Sequence, residues 1–412
     1  MRLMWTLRLG LVASVAVGWG GPADAGRKSL AKEPRPLPAL QLAESFPVET
    51  PFDDPEIGPA DQLWIDLIGR AQRTVDLSQF YLSPREGEGP DRLRGVITML
   101  EVAAKRGVQV RMLMDAKFQK TYPAELARLD ALPNVDVQLL DVGKLTGGVQ
   151  HAKYFVVDGQ IGWLGSQNFD WRSLDHIHEI GVAFTEPQAV SALQAVFNAD
   201  WARTRGDATV PTTADPVKGQ PVAVQYEGAE AQVLLVASPA RLNPPGVATE
   251  LPALISAIDA AKTAVNVQVM SYALVGYDKV YWDELDRALR RAAARKVEVR
   301  LLVADWSTRK GKLAALQSLD VLDHLSVKVL TVPEHSGGPI EFARVIHAKY
   351  MTVDGAWSWV GTSNWSRDYF ENSRDVGLTV GSAAFAQDLD RVFERLWASA
   401  HAKAAVDFRG GD

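Results

Sequence analysis

The chain has 412 residues, of which 47% are hydrophobic and 23% charged, a composition typical of a soluble globular protein with room for two domains. The formal net charge of −6 provides no general attraction to nucleic acid, although a local basic cleft stays compatible with it. The sequence contains no Cys, which excludes disulfides, thiolate metal ligands and a thiol nucleophile.

The first 25 residues have the pattern of a signal peptide. Arg2 and Arg8 lie in and around a short n-region before a short apolar run, and Ala-Asp-Ala precedes Gly26 as a small-x-small cleavage pattern. The alternative is a membrane anchor, but spanning a bilayer takes about 20 apolar residues and this run is shorter. We therefore expect export to the periplasm or the medium, with peripheral membrane contact at most and no identifiable partner protein.

Strand and helix patterns alternate after this segment. Residues 26–57 are rich in Pro and charge and predict an extended arm. Near-continuous apolar runs predict buried strands, and apolar residues three and four apart predict helices. In the first half these patterns predict strands at 74–82, 108–115 and 135–142 and helices at 92–107 and 189–205.

The second half repeats this series. A segment with few periodic apolar positions, 206–230, predicts a linker. The patterns after it predict strands at 264–274, 297–305 and 325–332 and helices at 281–296 and 383–400. Alternation of this kind indicates an α/β fold with helices covering a sheet. We expect two duplicated units, 58–205 and 231–403, followed by a tail at 404–412.

Each unit carries the same short motif. "HAKYFVVDG" begins at residue 151 and "HAKYMTVDG" at residue 347, in a chain with only 7 His. If the motif is a strand, its His and Lys point to one face and its Asp does not. Downstream, both copies have an Asn 17 residues and a carboxylate 28 residues after the His. The two sets are His151, Lys153, Asn168 and Glu179, and His347, Lys349, Asn364 and Asp375.

These residue types fit the chemistry of a phosphodiester. The Lys and Asn side chains can hold the non-bridging oxygens, although a turn role is the alternative for Asn168 and Asn364. A neutral His can attack phosphorus while a protonated His gives a proton to the departing alkoxide. Neither half is complete alone, so the halves should face each other across a cleft with pseudo-twofold symmetry.

The remaining carboxylates have supporting roles in this interpretation. Glu179 and Asp375 can each accept the Nδ1–H of the His in their own half, which fixes the tautomer. Asp158 and Asp354 are expected to support the motif rather than contact substrate. We expect no metal ligands and no cofactor.

The paired HxKxxxxD motifs, the GSQN and GTSN segments and the downstream carboxylates resemble the phospholipase D superfamily over residues 58–400. The resemblance implies two tandem phospholipase-D-like α/β units with the active site at their interface. It also implies a covalent phosphohistidine, hydrolysed by water or transferred to an alcohol, without a metal. In such relatives the first-half His is commonly the nucleophile, which would be His151, with His347 as the general acid.

The substrate stays open at this point. "NFDWRSL" and "GTSNWSRDYF" resemble the branch that contains animal endolysosomal exonucleases and a poxvirus envelope phospholipase. Export and the acidic net charge favour a phospholipid substrate. The resemblance to this branch supports the alternative of a 5′ exonuclease on single-stranded nucleic acid. A non-catalytic binding or envelope protein is the third alternative. The loops near 83–91, 143–150, 273–280 and 333–345 should shape the pocket but carry no interpretable motif.

Overall fold

A computed structural model describes residues 36–87, 89–118, 121–206, 216–276, 279–309 and 311–409. The predicted signal peptide lies outside these residues. None of the helices among them is both long enough and apolar enough to cross a bilayer.

The first half alternates strands with helices, as its sequence pattern predicts. Its elements are β1 (Leu40–Ser45), β2 (Gly58–Pro59), α1 (Ala60–Gly69), β3 (Thr74–Gln79), β4 (Leu82–Ser83), α2 (Arg92–Lys105), β5 (Gln109–Asp115), α3 (Pro123–Asp130), β6 (Val135–Leu140), α4 (Val142–Thr146), β7 (Tyr154–Val157), β8 (Ile161–Gly165), β9 (Phe169–Asp170), α5 (Trp171–Asp175), β10 (Ile177–Phe184) and α6 (Pro187–Thr204).

The second half follows the same order with short additions at both ends. Its elements are β11 (Val222–Tyr226), β12 (Ala229–Ser238), β13 (Ala248–Thr249), α7 (Glu250–Ala260), β14 (Ala264–Val269), α8 (Glu284–Ala294), β15 (Glu298–Ala304), α9 (Leu313–Asp320), β16 (Leu325–Leu330), β17 (Val345–Ile346), β18 (Tyr350–Val353), β19 (Trp357–Gly361), α10 (Arg367–Glu371), β20 (Asp375–Gly381), α11 (Ala383–Trp397) and β21 (Ala402–Ala404).

Each half builds one mixed sheet. In the first, the strand order is β2-β1-β10-β8-β7-β3-β5-β6, with β3, β5 and β6 parallel and β7, β8 and β10 antiparallel to their neighbours. The second has the order β11-β12-β20-β19-β18-β14-β15-β16-β21. In both halves the motif strand therefore lies in the middle of the sheet, between the parallel part and the antiparallel part.

Side chains from both halves fill a central core between the two sheets. Along β7, Tyr154 and Val156 face this central core, whereas Phe155 and Val157 face an outer core covered by α1 and α2. This split follows from the two-residue period of a strand. Helices α6 and α11 contribute to the central core, and α7 and α8 cover the outer face of the second sheet. The halves thus share one hydrophobic interior.

Four sequence-based boundaries need correction. The predicted arm contains β1, which pairs antiparallel with β10 along its whole length. The predicted linker contains β11, which pairs with β12, and the tail region contains residues of β21, which pairs with β16. β11 and β21 are edge strands, and β1 is covered on its other side only by the two-residue strand β2. Each of the three contains only a few apolar residues, so its periodic signal is weak. The motif strands begin only at Tyr154 and Tyr350, so each His and Lys precedes its strand.

Candidate active site

The backbone of each HxK segment is attached to the opposite half. The amide groups of His151 and Ala152 both donate to the carbonyl of Arg374, at 3.0 and 2.8 Å. In the second half, the amides of His347 and Ala348 donate to the carbonyl of His178, at 2.8 and 3.0 Å. Two consecutive donors on one acceptor form an irregular segment, which explains why the regular strand starts later.

These acceptor carbonyls lie directly before the two downstream carboxylates, so the His–carboxylate pairs are crossed. His151 Nδ1 lies 2.8 Å from Asp375 Oδ1, and His347 Nδ1 lies 2.8 Å from Glu179 Oε2. The prediction that each carboxylate serves the His of its own half was wrong. Sequence spacing could not show this, because equal spacing in two copies fits pairing within a half and pairing across the halves equally well.

The two pairs are not equivalent. Thr362 donates its hydroxyl to Asp375 Oδ1 at 2.6 Å. Ser166 holds the matching position in the first half, yet its hydroxyl bonds the Ile180 carbonyl at 3.2 Å. Glu179 Oε1 and Asp375 Oδ2 are both buried without a hydrogen-bond partner among the described residues, so the Thr362 hydroxyl is what distinguishes the two carboxylates. The negative charge of Glu179 is therefore directed more fully at its His than that of Asp375.

Both imidazoles are predominantly neutral in the free protein. Burial lowers the pKa of His151 well below 6.5, and the nearby ammonium of Lys153 lowers it further. Desolvation also lowers the pKa of His347 to about 4, against the favourable charge of Glu179. With Nδ1–H directed at the carboxylate, each Nε2 carries the lone pair needed for attack or proton uptake.

The two Lys side chains are completely buried behind the histidines. Lys153 and Lys349 donate from Nζ to the carbonyls of His151 and His347. Burial lowers the pKa of Lys153 to about 7 and that of Lys349 well below 10.5. The negative charges of Asp375 and Glu179 raise the pKa of both Lys residues but offset the cost of burying two ammonium groups only in part. A phosphodiester placed at these groups would favour their charged forms, so the pair fits an anionic ligand.

The two Asn residues take up different positions. Asn168 lines the cleft, and its Oδ1 has no partner among the described residues. Asn364 accepts the Ser271 amide at 3.1 Å, while its Nδ2 is buried without a partner in that part of the chain. This bond joins segments 93 residues apart and is not a turn contact, and the Asn364 Nδ2 donor stays available to a phosphate oxygen, as the predicted substrate contact requires.

Asp158 and Asp354 lie away from the cleft. The Asp158 carboxylate accepts the backbone amides of Gln72, Arg73 and Thr74, at 2.7–2.8 Å, and so joins the end of β7 to the start of β3. Asp354 makes the equivalent contacts to residues 262–264 in the second half. Both carboxylates therefore connect backbone segments of their own half, which is a structural role.

A cleft of about 640 Å³ opens over the two histidines. Its wall is rich in aromatic residues that the motif analysis did not assign to the site, because they do not recur at matching positions in the two halves. They are Phe80, Tyr81, Phe118, Tyr122, Trp306, Phe342 and Tyr369. The rings of Phe80 and Tyr369 lie 5.2 and 4.9 Å from the His151 ring, edge to face. Lys117 adds positive charge to the wall, which also contains Asp368 and Arg172, the latter paired with Asp170.

In the described part of the chain, no group of three or more His, Asp or Glu residues could hold a metal ion.

Comparison with known proteins identifies the family. Residues 64–201 and 254–397 match the family described as "Cardiolipin synthase, PLD-like domain". A Xenopus laevis protein named "5'-3' exonuclease PLD3" is 32% identical over 392 residues, which cover 87% of this chain and 79% of that protein. "Phospholipase D Z" of Dictyostelium discoideum is 31% identical over 390 residues, covering 88% and 89%.

A solved structure supports the fold. The phosphatidylserine synthase of Haemophilus influenzae Rd KW20 aligns with a TM-score of 0.59 and 10% identity, covering 85% of this chain and 86% of that one. The predicted α/β fold with two tandem units is confirmed by the two matched segments and the two sheets. The chain belongs to the phospholipase D superfamily and is a phosphodiesterase.

Proposed function

We propose that this phosphodiesterase cleaves nucleotides from the 5′ end of single-stranded nucleic acid through a phosphohistidine. The observation that carries this proposal is the aromatic wall of the cleft, which reaches the His151 ring itself. Aromatic side chains beside positive charge bind unpaired bases by stacking. The sequence-based preference for phospholipid depended on export and net charge, which describe the whole surface rather than the cleft. The name of the Xenopus relative agrees with this choice.

In the first step, Nε2 of neutral His151 attacks phosphorus and a P–N bond forms. The P–O bond to the sugar oxygen on the leaving side of the scissile phosphate breaks, and His347 Nε2–H gives its proton to that alkoxide, while the other side of the strand stays attached to the phosphoryl group on His151. Lys153, Lys349 and the two Asn amides hold the non-bridging oxygens. In the second step, His347 takes a proton from water, the resulting hydroxide oxygen attacks phosphorus, and the P–N bond breaks.

The asymmetry of the two pairs supports this division of roles. The general acid must already be an imidazolium before the first step, whereas the nucleophile gains positive charge only as the P–N bond forms. The carboxylate whose charge is not shared therefore suits the acid best. Glu179, beside His347, meets this condition, whereas Asp375 also accepts the Thr362 hydroxyl. His151 is accordingly the better neutral nucleophile.

Phospholipid is the second candidate substrate. Val149, Ile177, Met270 and Val345 provide apolar surface inside the same cleft. Such surface could contact the glycerol and acyl part of a phosphatidyl group, and several relatives are named phospholipase D. Water or an alcohol would accept the phosphatidyl group.

The test compares both substrates with one protein. Residues 26–412 would be incubated with EDTA and either a 5′-labelled single-stranded oligonucleotide or vesicles of phosphatidylcholine and phosphatidylglycerol. We expect mononucleotide release, reduced at least about a thousandfold in His151→Asn and His347→Asn. His324→Asn is the matched control, because His324 lies outside the cleft beside Glu298. Headgroup release without nucleotide release would replace this proposal by the lipid one, and loss of activity in EDTA would contradict metal-independent catalysis.

A further inference from the structure

Phe342 is an exposed aromatic residue at the mouth of the cleft. The residue is 64% exposed although it lines the same cavity as both histidines. Its φ of +58° is unusual for a residue other than glycine. An exposed aromatic ring in a rarely adopted backbone conformation suggests a functional demand rather than a packing demand.

The backbone around Phe342 is held in place. Arg344 donates to the carbonyls of Pro333 and Val48, both at 2.7 Å. Arg172 donates to the Glu341 carbonyl at 3.2 Å, so the loop of the second half is also attached to the first half. The ring is therefore presented at a defined place, while its exposure shows that it contributes little to the core.

A stack of three rings lies in the same cleft. Tyr81 and Phe118 are stacked with centroids 6.0 Å apart, and Tyr81 and Tyr122 with centroids 5.3 Å apart. Arg172 links this stack to Phe342, because its guanidinium lies 3.3 Å from the Tyr122 hydroxyl and 6.0 Å from the Phe342 centroid. Both aromatic groups are thus positioned by one buried Arg.

The Arg172 donors are already used within the protein. They bond both carboxylate oxygens of Asp170, the Glu341 carbonyl and Tyr122. Arg172 is therefore not arranged to read the edge of a base. Flat rings accept any base, because every base has a π-face.

We propose that Phe342 and Tyr122 form a nucleobase-binding subsite that stacks an unpaired base next to the scissile phosphate without selecting its identity. The subsite deepens the proposed function and depends on it. Stacking on these rings positions the strand, so it contributes to substrate binding rather than to the chemical step. Its loss should appear mainly in KM.

The test measures kcat/KM on three oligonucleotides: a normal strand, and strands with an abasic nucleotide at the first or the second 5′ position. The wild type should lose on the order of tenfold in kcat/KM at one abasic position, since stacking one base contributes about that factor. Phe342→Leu, which keeps apolar volume without a flat ring, should remove this discrimination, and Tyr122→Leu should reduce it. Tyr281→Ala is the control, because Tyr281 is 62% exposed and lies outside the cleft.

The outcomes are separable. Cleavage with equal rates on normal and abasic strands, or discrimination that survives Phe342→Leu, overturns the subsite alone. No cleavage of any oligonucleotide overturns the proposed function and the subsite together. Discrimination that is lost in Phe342→Leu and kept in Tyr281→Ala supports the subsite.

Discussion

At the scale of single residues, the site combines neutral imidazoles with buried ammonium groups. The sequence could predict which residues take part, because unpaired polar residues are costly on core strands and both sets are intact. It could not predict that only one of the two carboxylates, Asp375, receives a hydroxyl hydrogen bond, which comes from Thr362. Ser166 at the matching position has the same functional group but bonds a backbone carbonyl instead. Hydroxyl direction depends on packing, which residue identity does not specify.

The pH dependence follows from these environments. The reaction needs a charged Lys153, a proton on His347 and a neutral His151. The pKa of Lys153 is about 7 and that of His347 about 4, so both gain protons as the pH falls, while the low pKa of His151 keeps it neutral. We expect kcat/KM to peak on the acidic side of pH 6.5, measured from pH 4 to 9. A peak above neutrality would contradict the neutral-imidazole site.

At the scale of elements, the repeated strands and helices were predictable because their apolar periods are long and regular. Strands such as β1 and β11 were missed because each has few apolar residues and lies near the edge of a sheet. Their positions depend on pairing with the distant β10 and the adjacent β12. The start of the motif strand was also misplaced. Its first residues bond a carbonyl of the other half, and sequence periodicity carries no information on that contact.

The motif Asp should contribute stability rather than catalysis. Asp158→Ala removes an acceptor of three backbone amides at a position with φ +55°, where Ala is less tolerated than Asp. We expect a loss of about 2 kcal/mol in the free energy of unfolding, measured in urea, with kcat close to that of the wild type. Asp66→Ala is the matched control, because its surface pair with Arg70 should contribute less than about 1 kcal/mol. A large loss of kcat without a loss of stability would assign Asp158 to the chemistry instead.

At the scale of the whole molecule, the two halves form one site because each holds the other's histidine. The sequence predicts the pseudo-twofold arrangement, since one phosphate needs two histidines with opposite proton roles. It does not predict the crossing, which arises where Arg374 and His178 accept the backbone of the opposite HxK segment. The cleft walls depend on loops such as 333–345, whose conformation is set by contacts like that between Arg172 and Glu341.

The crossed pairing is tested most directly by NMR of the histidine ring nitrogens. The 7 His of the chain allow assignment by His151→Asn and His347→Asn in a ¹⁵N-histidine sample. Asp375→Asn should shift the ring signals of His151 and leave those of His347 nearly unchanged, and Glu179→Gln should do the reverse, because each carboxylate lies 2.8 Å from the histidine of the other half. If Asp375→Asn shifted only His347 and Glu179→Gln only His151, each half would orient its own histidine, and the composite site described above would be wrong.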